Sequence, residues 1–173
     1  MINRLVVLSA IALSLFTVPV QSAESPLSTE LPPDQTTCWE RVYDEAHLKK
    51  HPLQQVTAVK LLHQPSPMGF EIDLMFKLRT GSQKGKDTYE YMIIGFCKPN
   101  RGGLSCENEW EAGTWRIEQG AAGTLMVRNG GLTVNPINYS AEDVAPGAVK
   151  IGKKPDDAAW RLSKAPDAEC EIE

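Results

Sequence analysis

The chain has 173 residues, with 18 Lys and Arg against 22 Asp and Glu, a formal net charge of −4. That balance excludes a general electrostatic affinity for nucleic acid or anionic lipid, because both need a basic surface. The length allows one domain with a substantial core, and four cysteines raise the question of an oxidising compartment.

In chain order, Met1 to Arg4 carry one positive side chain, Leu5 to Val20 are largely apolar, and Gln21 to Ala23 are short and polar. This is the pattern of a secretory signal peptide over residues 1–23, with cleavage after Ala23 or, alternatively, after Ser22. The apolar run falls short of the roughly 20 residues of a membrane span. No cysteine lies at the cleavage site to carry a lipid. The expectation is a periplasmic or secreted protein with no membrane span in the mature chain. Residues 24–37 are polar and Pro-containing and read as a disordered leader. Residues 38–173 read as a single β-rich domain.

Thr37 and Glu40 have the spacing of a helix capping box. A short N-terminal helix is expected there, with Val42, Tyr43, Ala46 and His47 on one face and its end at Pro52. Val56 to Leu62 is β-prone and is closed by Gln64 to Pro67. Phe70 to Arg79, FEIDLMFKLR, alternates strictly: Phe70, Ile72, Leu74, Phe76 and Leu78 take one face, and mostly charged residues the other. Side chains of a strand alternate between its faces, so this is a long strand with one face on the core. Tyr89 to Cys97 is apolar on both faces, as in a central strand or one lining a cavity. Leu104 to Trp110 and Thr114 to Gln119 predict a hairpin turning at Ala112 and Gly113. Thr124 to Arg128 and Leu132 to Asn135 flank Asn129-Gly130-Gly131, a turn signal. After a Pro- and Gly-containing loop over 136–157, Ala158 to Ser163 is the last strand, with Trp160 and Leu162 inward. The fold class is all-β: an antiparallel barrel or sandwich of roughly 7–9 strands with one short N-terminal helix.

Cys97 and Cys106 bracket a turn-rich segment and fit a hairpin staple, which leaves Cys38 and Cys170 to tie the start of the domain to its end. The alternative of a structural metal lacks a CxxC pair. His47 and His51 stand four apart, with Asp44 three before the first. On one helix face that spacing offers two imidazoles to a divalent metal, but HExxH is absent. The plainer reading is a solvated helix end whose Lys49, Lys50 and His51 suit the negative end of the dipole. A turn at Ala112 and Gly113 sets Trp110 opposite Trp115, with Glu107, Glu109 and Glu111 in a row on the opposite face. The structural reading is hairpin glue. The functional reading is a docking edge made by Glu107, Glu109, Glu111, Trp110 and Trp115. Asp156 and Asp157 are adjacent in a turn, which suits backbone capping better than paired acid–base work. No GxSxG or phosphate-cradling strand–loop–helix pattern occurs, and no cofactor is implied.

The segment Cys38 to Leu61, CWERVYDEAHLKKHPLQQVTAVKL, together with GFC, SC and PDDAAWRL further on, resembles a family of uncharacterised small exported bacterial proteins. The resemblance implies a bacterial periplasmic or secreted setting and no activity. It also implies that Arg41, Asp44, His47 and His51 form one local unit.

Three functional expectations follow. The first is a non-enzymatic exported binding protein, an inhibitor or immunity factor for a cell-wall or toxin enzyme, using the acidic and aromatic edge. The second is a lipocalin-like carrier of a small apolar ligand in a lumen lined by Tyr91, Ile93, Phe70 and Phe76. The third is a metal-binding protein or enzyme using His47 and His51.

Overall fold

The structure, a computed structural model, describes residues 27–67, 69–79, 89–108, 112–137, 147–152 and 154–166. It contains strands β1 (Thr37–Val42), β2 (Val56–Ser66), β3 (Gly69–Leu78), β4 (Tyr91–Asn100), β5 (Gly103–Glu107), β6 (Gly113–Gln119), β7 (Leu125–Pro136), β8 (Val149–Ile151) and β9 (Ala159–Lys164). One helix, α1 (Glu45–Lys50), interrupts the run after β1. Strands β1 to β7 pair in chain order, and β9 bridges β7 and β1. This closes eight antiparallel strands into a barrel, with β8 as an extra strand on β7. Closure removes the unpaired edges that a flat sheet would expose.

The alternation of β3 is realised as read. Ile72, Leu74, Phe76 and Leu78 are buried in the main core and Phe70 packs against it. Their neighbours across the sheet extend the same inward face: Val59 and Leu61 from β2, Ile93 from β4, Leu104 from β5, Trp115 and Ile117 from β6, Leu125 and Val127 from β7, and Trp160 and Leu162 from β9. Burying one such aliphatic or aromatic side chain contributes about 1.5–3 kcal/mol. A second, outward cluster of Cys38, Leu62, Met75 and Ala165 is also buried, with Tyr89, Met92 and Ile137 against it.

Three local expectations are corrected. First, Thr37 to Val42 is strand, not helix, and the helix starts only at Glu45. Here Trp39 is needed inside and the segment must pair with both β2 and β9 to close the barrel, so tertiary pairing overrides the capping-box spacing. Asp44 is the true N-cap, accepting the His47 N–H at 2.7 Å. Second, Asn129-Gly130-Gly131 is no turn: β7 runs straight through it. Its glycines permit close backbone approach instead. A Cβ on Gly130 would meet the Thr114 carbonyl at 2.3 Å, and one on Gly113 the Gly131 carbonyl at 2.0 Å. Asn129 is buried at the fork where β8 and β9 part, its side chain donating to the Asp157 and Gly152 carbonyls at 3.0 and 3.3 Å. Third, from Leu27 onward the expected leader is ordered. Residues 27–36 form turns whose Leu27 and Leu31 are fully buried in the main core. Residues 1–26, including the expected signal peptide, lie outside the described residues.

Candidate functional site

The helix unit forms a ring ladder. Tyr43 just before the helix, His47 within it and His51 at its C-cap are spaced four apart, and their rings stack: Tyr43 on His47 at 4.6 Å and His47 on His51 at 4.3 Å between centroids. The Arg41 guanidinium lies 5.0 Å over Tyr43. Burial raises the Tyr43 hydroxyl above its ordinary value against the pull of Arg41. His47 Nε2 meets Gln54 Oε1 at 3.1 Å and His51 Nδ1 meets Asp156 Oδ1 at 3.0 Å. Arg79 donates to the Leu48 and His51 carbonyls, covering the negative end of the helix. The buried Asp157 carboxylate accepts from Gln55 N at 2.6 Å and Val56 N at 3.2 Å. Its pKa is raised by burial despite those donors.

The arrangement therefore joins Arg41, Asp44, His47 and His51 locally, each held by a structural partner. Stacked imidazoles present faces, not converging lone pairs, to one another. No group of three or more His, Cys, Asp or Glu side chains able to hold a metal occurs among the described residues. Asp156 and Asp157 point to different jobs, the first to His51 and the second to backbone.

The hairpin region is registered differently from the expectation. Glu107 lies opposite Thr114 and Cys106 opposite Trp115, so the pairing is displaced by four residues. Two features hold this register. Cys97 and Cys106 face each other across β4 and β5 and are joined by a disulfide, and Gly103 lets the Ile117 carbonyl come within 2.0 Å of where a Cβ would be. A displacement by an even number keeps each side chain on its face. Glu107 stays outward and exposed, bridged to Lys98 at 3.6 Å. Trp115 stays inward, 1 % exposed, its indole seated on the Gly95 backbone. Trp115 is thus core, and Cys106 replaces Trp110 as its cross-strand neighbour. Glu109, Trp110 and Glu111 lie outside the described residues, as does Cys170. Ala165 N donates to the Cys38 carbonyl at 2.9 Å, so the chain leaves β9 beside Cys38.

Beside Glu107 the barrel wall carries further acids, on the outward face of β3. Pairing places Glu71, Phe96 and Glu107 in one row across β3, β4 and β5. The adjoining row sets Asp73 between Leu62 and Ile94. Phe96, Ile94 and Asp73 are all half-buried. Asp73 Oδ1 is buried without a hydrogen-bond partner among the described residues. Burial, and then the Glu71 carboxylate, push the Asp73 pKa up to about 6. The signal for this site was the apolar outward set of β4 (Met92, Ile94, Phe96), which gains meaning only once β3 and β5 are placed on either side.

Inside the barrel, His63 and Thr37 are paired across β1 and β2 and buried. His63 Nδ1, Thr37 Oγ1 and the indole nitrogens of Trp39 and Trp115 have no hydrogen-bond partner among the described residues. Of the expected lumen residues, Phe76 and Ile93 are buried core, with Phe76 edge-on to Trp160 at 5.4 Å, and Phe70 and Tyr91 are partly buried against it.

Together these features define a closed antiparallel β-barrel with a disulfide-stapled hairpin and an acidic, partly apolar outer wall. No family model, curated protein or solved structure matches the chain.

Proposed function

We propose that the protein is an exported, non-enzymatic binding protein that captures a cationic side chain of a protein partner on the outer wall of β3, β4 and β5. It would act as an inhibitor or immunity factor does, by occupying a partner's surface. The observation that carries this reading is Asp73: a carboxylate set by strand pairing among Leu62, Ile94 and Phe96, beside Glu71, with one buried oxygen unpaired among the described residues. A desolvated acid with an acidic neighbour destabilises the free protein and gains most when a Lys or Arg arrives. The half-buried Phe96 and Ile94 supply the apolar surround that shields such a pair from water. The Cys97–Cys106 disulfide suits an oxidising compartment and so supports export to the periplasm or beyond. The helix histidines give little support to the metal or enzyme reading, because each is already engaged.

The test is partner capture from the exported fraction by the parent protein and by a folded Glu71→Lys, Asp73→Asn, Glu107→Lys variant. Capture should be salt-sensitive and lost in the variant. Equal capture by both refutes the surface.

A second reading, a small ligand in the lumen, is favoured by His63 Nδ1, Thr37 Oγ1 and the indole nitrogens of Trp39 and Trp115, interior atoms with no hydrogen-bond partner among the described residues. Three indoles and Phe76 crowd the same interior. The narrow lumen of an eight-stranded barrel then leaves space for at most a small molecule.

A further inference from the structure

A different sector of the barrel wall carries the opposite charge. Arg116 on β6 lies directly opposite Arg128 on β7. Arg161 on β9 lies opposite Met126, one row along, and Met126 is itself opposite Glu118. Parity sends all of these outward, because the alternate residues Ile117, Val127, Trp160 and Leu162 are core. Arg116, Arg128 and Arg161 are exposed. Among the described residues, Glu118 is the one carboxylate paired with them, 2.7 Å from Arg128 and 4.0 Å from Arg116. Pairing continues the Arg116 row through Ser105 to Lys98.

Like charges directly opposite on neighbouring strands destabilise a sheet. Edge protection does not account for them, since β6 and β7 are each paired on both sides within the closed ring. One carboxylate shared by two guanidiniums leaves donors unspent, and the guanidinium fork matches carboxylates bidentately. The chain as a whole is acidic, so at long range it repels a long polyanion such as nucleic acid. A short acidic segment is attracted within about a Debye length, roughly 8 Å at physiological salt, where the arginines dominate.

We infer that Arg116, Arg128 and Arg161 form a second docking surface, which takes an acidic segment of a partner protein and on which Glu118 acts as an internal competitor. The Lys98–Ser105–Arg116–Arg128 row spans three inter-strand steps, roughly 14 Å, enough to follow several residues of an extended acidic peptide. The two surfaces meet only where Lys98 bridges to Glu107; Arg116, Arg128 and Arg161 take no part in the acidic wall, so their variants test this surface separately.

The test uses a labelled peptide of consecutive glutamates as the probe, with fluorescence anisotropy across a salt series. The peptide should bind, more weakly as salt rises. Arg116→Gln with Arg128→Gln should lower affinity roughly tenfold, as two modest ion pairs do. Arg161→Gln gives a separate check on a variant with Glu118 still engaged, and should also weaken binding. Glu118→Gln should tighten binding severalfold, a gain that no merely structural role for Glu118 produces. Unchanged affinity in the double-arginine variant, or no gain with Glu118→Gln, overturns the proposal. So does tighter binding of an oligonucleotide than of the peptide. Salt-sensitive self-association in sedimentation that the double variant abolishes also overturns it, in favour of a second copy as the occupant.

Discussion

Asp73 is the residue where, under the proposed function, stability and binding pull apart. Its carboxyl is raised from 3.8 to about 6 in the folded protein. A raised acid binds its proton more tightly folded than unfolded, so this group lowers stability progressively as pH rises from 3.8 to about 6, and fully above that. Each pKa unit is about 1.4 kcal/mol, and discounting for partial exposure leaves a cost on the order of 2 kcal/mol. Asp73→Asn should therefore stabilise the protein by about 1–2 kcal/mol at pH 8 and by little at pH 4, measured by urea unfolding. Parallel curves for the variant and the parent contradict the assignment. His63 works in the other sense: burial lowers its pKa, so its contribution falls as pH drops below its ordinary 6.5.

At the scale of elements, legibility followed alternation. β3 and β9 were readable because Phe70 to Leu78 and Trp160 with Leu162 place apolar residues on every second position. β1 was not, because Arg41 breaks its inward face and Thr37 with Glu40 imitates a cap; only pairing with β2 and β9 makes it a strand. The unbroken β7 was hidden for the opposite reason, since its glycines look like a turn until Thr114 and Gly113 are seen pressing on them. Glu107 was correctly placed outward, because alternation survives an even shift in register. The Glu71, Phe96 and Glu107 row was not legible, since it depends on the registers of two separate strand pairs. The β4–β6 packing offers a direct check. A Cβ on Gly95 would fall 2.0 Å from Trp115 Cη2. Gly95→Ala should thus cost at least about 1–3 kcal/mol in denaturant unfolding and shift the buried-tryptophan fluorescence. A neutral variant contradicts the packed seat of Trp115.

For the whole molecule, a closed barrel turns Trp39, Trp115, Trp160 and Phe76 inward, and the proposed function places recognition on the outer wall. The wall is divided: acids with half-buried Ile94 and Phe96 over β3 to β5, and arginines over β6, β7 and β9. Residues 27–36, with Leu27 and Leu31 buried in the core, lead into one end of β1, and the Tyr43–His47–His51 ladder with Asp157 lies at its other end. This rigid frame suits a preorganised binding surface, which loses little entropy on association. The most direct measurement is native mass spectrometry of the protein recovered from its exported fraction under gentle, non-reducing conditions. The account predicts a discrete complex with a second protein that dissociates as salt is raised and is lost in the Glu71→Lys, Asp73→Asn, Glu107→Lys variant. A bare chain carrying only a small-mass adduct released on activation, retained in that variant, would contradict it and place the function in the lumen.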